Sequence, residues 1–221
     1  MEEYLQPTQY INYQDEVIQD IIADLDLDHL SDIEKAKKLF YYVRDSISYS
    51  ANIKSIQPDI FIASKTLNKD KSFCIPKALA LCALARAVEI PARIHLVDFY
   101  NHRLSDKLEQ LWGTKVMAPH CYTELYLNDS WVKATPALDK ETCERHDFIE
   151  IEFDGIHDAI IKSEDKHGRP HAEYVKDHGT FADLPYQKVL EILADTYGPL
   201  SSDRMQKIFG SEVTEFILPS S

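Results

Sequence analysis

The sequence predicts a domain that mixes helices with strands, and three observations carry that expectation. From Ala78 to Val88 every residue except Arg86 is Ala, Leu, Val or Cys at helical spacing, and a helix that is apolar nearly all round is a buried one. Upstream, two segments carry apolar residues on a single helical face. Downstream, His120 to Leu127 and Ser130 to Pro136 are β-prone runs on either side of Asn128-Asp129, the pattern of a hairpin.

Taken in order, Val17, Ile18, Ile21, Ile22 and Leu25 make one face of a helix over Gln14 to Leu25. Ser31-Asp32-Ile33-Glu34 is a capping box, and Ile33, Ala36, Leu39, Phe40, Val43 and Ile47 extend that helix to about Ser48. Core burial accounts for both helices, which read as scaffold. Tyr49 to Asp70 reads as loop with a short helix near Ala63 to Leu67, and Asn68 to Lys71 as a polar turn. Proline fits the first helical turn, where its missing N–H has no intrahelical partner. Pro76 therefore starts the central helix and sets Cys74 at or just before its first residue. Glu89-Ile90-Pro91 stops it, because the residue before a proline avoids the helical region.

Ala92 to Phe99 then reads as a strand, and Asn101 to Met117 as an irregular excursion with a short helix over Ser105 to Leu111. A two-residue hairpin loop at Asn128-Asp129 sets Tyr126 opposite Trp131, Glu124 opposite Lys133 and Tyr122 opposite Thr135. Strand alternation puts His120, Tyr122, Glu124, Trp131, Lys133 and Thr135 on one face. Cys121 falls on the other, and Glu124 is expected to pair with Lys133. Glu150 to Phe153 reads as a further short strand. His157, His167, His171 and His178 follow no metal-ligand spacing and read as solvated surface. Leu184 to Tyr197, with Asp183 as cap and Gly198-Pro199 as stop, reads as helix. A last short helix is expected over Asp203 to Phe209, closed by Gly210.

Composition narrows the function. The chain has 221 residues, enough for one good-sized domain, and 44% of them are hydrophobic. Lys and Arg number 24 against 37 Asp and Glu, a net charge of -13, a field that repels phosphate backbones and anionic membranes. Neither nucleic acid nor a membrane is an expected partner, and nothing sets an oligomeric state. No run of 18 apolar residues occurs, and Met1 to Pro7 shows no basic and apolar leader pattern, so the expected location is cytoplasmic. Four cysteines are too sparse for a disulfide scaffold and read as reduced thiols.

No G-x-S-x-G elbow, P-loop, G-x-G-x-x-G, H-E-x-x-H or C-x-x-C run is present, so those chemistries lack their motifs. No cofactor or metal is implied. What remains is Cys74 at a buried helix start and, 46 residues on, His120 opening a strand. Taken alone, Cys74 reads as packing, since free cysteine is among the most buried residue types. Backbone N–H groups and the helix dipole at that position nonetheless favour a thiolate. Cys–His catalysis needs such a thiol, an imidazole to take its proton and a third group to hold the ring.

The order of pieces resembles the bacterial transglutaminase-like family of the papain-like cysteine peptidase superfamily. The resemblance rests on Cys74 leading Lys77-Ala78-Leu79-Ala80-Leu81-Cys82-Ala83-Leu84-Ala85-Arg86-Ala87 and then Ile90-Pro91-Ala92-Arg93. It continues with His120 leading Tyr122-Thr123-Glu124-Leu125-Tyr126, then Trp131-Val132-Lys133-Ala134-Thr135-Pro136. Tyr42 to Tyr49 resembles the helix before the family's core. The resemblance implies an α+β fold in which the cysteine starts a central helix packed on an antiparallel sheet that carries the histidine, with extra helices at both ends. It implies a single domain over 1–221, with its core at about 35–140, a helical part at 1–34 and an extension at 141–221.

The resemblance further implies Cys74 as nucleophile and His120 as general base and acid. The family's third member is an aspartate in a W-x-x-x-D-P context, and Thr135 stands in that place, with Asp139 as a nearby substitute. Ser72 and Glu89 stand where the family often has glycine. The implied activity is acyl transfer at an amide or peptide carbonyl through a thioester, ended by water (peptidase or amidase) or by an amine (transglutaminase). Protein, peptide or amide is the implied substrate. A non-catalytic binding module on the same fold is the alternative, motivated by Thr135. A metal site built from Cys74, His120 and a further thiol fits no standard spacing. As an enzyme, the chain is expected to hold a Cys74 that titrates well below the ordinary value of about 8.5.

Overall fold

The computed structural model describes residues 1–51, 53 and 55–199; the helix expected over 203–209 lies outside them. In chain order the elements are α1 (Glu16–Leu25), α2 (Asp32–Ser46), β1 (Ser48–Tyr49), α3 (Ala63–Leu67), β2 (Lys71–Ser72), α4 (Cys74–Ala87) and β3 (Ala92–Asn101). They continue with α5 (Asp106–Trp112), β4 (Val116–Leu127), β5 (Ser130–Ala134), α6 (Lys140–Arg145), β6 (Ala172–Phe181) and α7 (Tyr186–Tyr197). Four strands form one antiparallel sheet in the order β5-β4-β3-β6, and α4 packs against its centre. This is an α+β fold.

Local chemistry sets most of the element ends. Asp15 caps α1 by accepting from Val17 N–H. Ser31 and Glu34 form the expected capping box on α2. That helix stops at Ser46, short of Ser48, because the chain extends at Ile47 and enters β1, which pairs in parallel with β2. This small pair was not foreseen, and it delivers the chain to Cys74. Pro76 is the third residue of α4, and Cys74 is its first.

Every residue of α4 from Ile75 to Arg86 is buried, so its two charged side chains find carbonyl partners. Arg86 donates to Ala92 O through Nε (3.0 Å) and Nη2 (2.7 Å), to Gln6 O (2.6 Å) and to Ala182 O (2.6 Å). One guanidinium thereby ties the helix end to three distant segments. Lys77 Nζ donates to Arg44 O (3.0 Å) and to Ile47 O. These belong to the last turn and cap of α2, where carbonyls lack intrahelical partners. Thr123 Oγ1 donates to Ala78 O at 2.8 Å and fixes β4 against the first turns of α4.

Asn128 and Asp129 have φ of 47° and 63°, as a two-residue primed turn requires. The expected register holds for Tyr126 opposite Trp131 and Glu124 opposite Lys133. Tyr122 does not pair with Thr135, because β5 ends at Ala134 and Thr135 N–H goes to Ala159 O at 2.9 Å. Nor does Glu124 pair with Lys133. Arg93 lies opposite it on β3 and takes its carboxylate at 2.7 Å, together with His95 at 2.7 Å, while Lys133 lies 3.7 Å from Asp158.

Three expectations in the second half are corrected. Residues 150–153 form no strand: Ile151 O accepts from Arg44 and Phe153 N–H donates to Tyr41, so α2 side chains hold the segment that a ladder would otherwise hold. Residues 172–181 do form a strand, β6, on the edge beside β3. Its charged, interrupted pattern hides it, as edge strands commonly do. With it, His171 is buried and stacks on Phe148 (3.7 Å between ring centroids), and His178 bonds buried Asp98 at 2.8 Å. Those two histidines are not solvated surface. Finally, α7 starts at Tyr186 with Pro185 before it, so Asp183 is not its cap.

Burial pulls the Lys77 amine down to about 7, against about 10.4 in an unfolded chain. Between those values the unfolded state binds more protons, so the Lys77 contribution to stability grows as pH rises through that window. The stability difference between wild type and Lys77→Met, from urea midpoints, is expected to shift towards the wild type from pH 7 to pH 10. A difference that does not change with pH would show that the ammonium keeps its water in the fold.

Candidate active site

The start of α4 and the first half of β4 converge on one pocket. Cys74 and His120 both line it, and it encloses about 880 Å³ of atom-free space, its open mouth included. Cys74 is partly exposed there, whereas Cys82, Cys121 and Cys143 are buried. β4 holds His120 in place from both sides. The Phe99 ring of β3 meets the imidazole edge-on at 5.2 Å between centroids. On the other side the Tyr197 hydroxyl of α7 accepts from Ala118 N–H (2.9 Å) and donates to Val116 O (3.1 Å), strapping the strand just before His120.

Burial decides the electrostatics. It pushes the Cys74 thiol up to about 11, against the backbone N–H groups of Cys121, Ile75 and Cys74 itself, which favour the thiolate. It also holds the His120 imidazole down at about 3. The expectation of a depressed thiol value is therefore overturned: desolvation of the charged form outweighs the N–H groups at the helix start. The pair rests as uncharged thiol and uncharged imidazole.

The two candidates for the third position differ sharply. Among the described residues Thr135 Oγ1 is buried without a hydrogen-bond partner, and so is His120 Nε2. Asp139 is engaged elsewhere. Its carboxylate caps α6, accepting from Thr142 N–H (2.9 Å) and Thr142 Oγ1 (2.7 Å), and also accepts from Tyr49 N–H at 2.6 Å. Burial raises the Asp139 value, but these hydrogen bonds outweigh it and leave the group below the ordinary carboxylate range. The bond to Tyr49 fixes part of the pocket wall to α6.

Glu124 belongs to a separate polar cluster farther along the same face. There His95 sits between Glu124 (2.7 Å) and Asp177 (2.8 Å), and the Tyr122 hydroxyl lies 3.2 Å from His95 Nδ1. Burial alone would lower the His95 value, but the two carboxylates raise it. Among the described residues no group of three or more His, Cys, Asp or Glu is placed to hold a metal ion. No helix among them is long and apolar enough to cross a membrane.

Sequence reasoning missed the pocket walls: Phe61, Phe73, Phe99, Trp112 and Leu193 come from five different elements or connections. Only the Val189, Leu193, Tyr197 stripe of α7 carried a usable signal, a helical apolar face with no assigned partner.

A cysteine at the first residue of a buried helix, with a histidine on the adjoining antiparallel strand, defines the transglutaminase-like class of papain-like folds. The model of the transglutaminase-like superfamily matches residues 19–136, more than half of the chain, and the protein belongs to that superfamily. The match contains Cys74, His120 and Thr135 and ends before Asp139. A solved structure described as "a Putative Cysteine Protease from Cytophaga hutchinsonii" superposes with a TM-score of 0.51 at 17% identity, over 81% of this chain and 46% of that one. At that identity the likeness is one of fold, and this chain spans less than half the length of that protein. No curated protein matches.

Iodoacetamide alkylation of Cys74, followed by peptide mass spectrometry, tests the resting state. With a thiol near 11, the rate is expected to climb about tenfold per pH unit from 7 to 10, because only the thiolate reacts. A plateau reached below pH 8 would instead reveal a stabilised thiolate.

Proposed function

We propose that the protein is a cysteine-dependent hydrolase of amide or peptide bonds that works through a thioester on Cys74. The observation that carries this reading is the shared pocket: a cysteine at a helix start and a buried histidine lining one cavity, in a fold built for that pair.

The chemistry follows from the uncharged resting pair. As Cys74 Sγ attacks the carbonyl carbon, its proton passes to His120 and the C–S bond forms. The first-turn N–H groups of α4, including that of Cys74, have no intrahelical carbonyl to bond and would stabilise the developing oxyanion. The C–N bond then breaks and the departing amine takes the proton from His120. Water attacks the thioester, again losing a proton to His120, and the carboxylic acid leaves as Cys74 regains its hydrogen. Water needs no binding site for a second substrate, which favours hydrolysis over transfer to an amine.

Thr135 is proposed as the positioning residue for His120. It stands where the family carries its aspartate, and its hydroxyl has no competing partner. Asp139 is the weaker choice because Tyr49 and Thr142 already occupy its oxygens. A threonine supplies no counter-charge to an imidazolium, and that same observation favours the second reading, a binding module without turnover.

Acylation by p-nitrophenyl acetate separates the two. The wild type is expected to release a stoichiometric burst of nitrophenol and carry one acetyl group on Cys74. Cys74→Ala should abolish the burst, and His120→Ala should slow it by about 10²–10⁴, the usual worth of general base catalysis. Thr135→Val should slow it about threefold to tenfold, the worth of one neutral hydrogen bond that Thr135 would form to the imidazole during the reaction and that is not made at rest. Asp139→Asn should lower the urea midpoint and leave the burst rate unchanged. No burst from folded wild-type protein, or one that survives Cys74→Ala, would leave the binding-module reading standing.

A further inference from the structure

The pocket beside Cys74 and His120 is lined almost wholly by apolar side chains. Charged residues make up 28% of the chain and its net charge is -13, yet among the described residues no Asp, Glu, Lys or Arg side chain lines the pocket. Its walls include Phe61, Phe73, Phe99, Trp112, Leu138 and Phe148. Two of its few polar groups are already committed. Asn101 Oδ1 accepts from Arg103 N–H at 3.0 Å, and the Tyr197 hydroxyl is held between Ala118 N–H and Val116 O. The imidazole nitrogen Nε2 of His120 has no protein partner.

We infer that the pocket holds the acyl side of the substrate, and that this acyl group is uncharged and apolar, an aromatic side chain or an alkyl chain next to the scissile carbonyl. The inference rests on the reading of Cys74 as nucleophile, since that reading makes the neighbouring cavity the acyl site. Its lining is drawn from aromatic and aliphatic side chains of several elements, the kind of wall that small-molecule sites present. A polar acyl group would find few hydrogen-bond partners along it. A charged one would lose its water against rings and methyl groups that return no hydrogen bond. An apolar group instead gains from every part of the wall it covers.

Calorimetric titration of the full-length Cys74→Ala variant tests selectivity without turnover. Octanamide and 3-phenylpropanamide probe the alkyl and aromatic sources, and the tighter of the two identifies which the pocket prefers. Each is compared with a charged counterpart of similar size: the monoamide of suberic acid, 8-aminooctanamide and 3-(4-carboxyphenyl)propanamide. The neutral amide is expected to bind at least tenfold more tightly than either its anionic or its cationic counterpart. The cationic probe matters because an acidic protein attracts it, so its rejection reflects the pocket wall and not the overall field.

Equal affinity for neutral and charged amides, or tighter binding of a charged one, would overturn the inference. Ile56 lines the pocket and is half-buried, so Ile56→Lys tests the wall at a position that tolerates charge; in the Cys74→Ala background it should tighten the suberic monoamide at least fivefold. No gain there would remove Ile56 and its neighbours from the acyl site. The two levels fail separately. Selective binding with no acylation of wild-type Cys74 removes the catalytic reading and leaves an apolar amide-binding pocket that is not an acyl site, whereas acylation with no apolar preference removes this inference alone.

Discussion

The burial of α4 on all sides is the constraint from which the rest of the structure follows. A helix with no polar face has to be enclosed, and one layer of structure covers only one face. The sheet covers one side through Thr123 and its neighbours, α2 and α3 cover others, and the N-terminal and post-β6 segments close on its end through Arg86. Elements from the whole described chain therefore meet around this helix. Its exposed opening is where their ends leave a gap, and Cys74 stands there.

The same enclosure sets the chemistry. Favourable N–H groups at a helix start lower a thiol value only where the thiolate keeps enough solvation. Here the surrounding apolar wall costs more than the N–H groups return, and the buried imidazole meets the same penalty. A desolvated thiol and a buried histidine favour the neutral pair. Thr135 as the proposed third member would suit that regime, because a carboxylate is most useful where an imidazolium has to persist.

Much of this was legible beforehand, for identifiable reasons. The 3.6-residue period, the Ser31–Glu34 capping box, Pro76 and the Asn128-Asp129 turn are local signals, and each led to the right element. The elements that escaped notice lack such signals. β6 is an edge strand whose charged residues, Glu173, Lys176 and Asp177, follow no period of two, so only its ladder to β3 identifies it. Glu150 to Phe153 alternates like a strand, but Arg44 and Tyr41 from α2 take its backbone groups. The hairpin register sets Lys133 opposite Glu124, but the neighbour on the other side, Arg93 of β3, is 31 residues away in sequence and takes the carboxylate; no local pattern pairs those two strands.

By itself the sequence determined which residues could carry chemistry and in what order: a cysteine starting a buried helix, a histidine opening a strand, and a threonine before proline. Those are properties of short segments, written in spacing and turn chemistry. The tertiary structure decided what state the residues occupy and what surrounds them. Asp139 is committed to Tyr49 and Thr142, Thr135 and His120 Nε2 are left unpartnered, and rings from several distant segments form an uncharged wall. Desolvation depends on every atom that displaces water from a group, and those atoms come from parts of the chain that no local pattern connects.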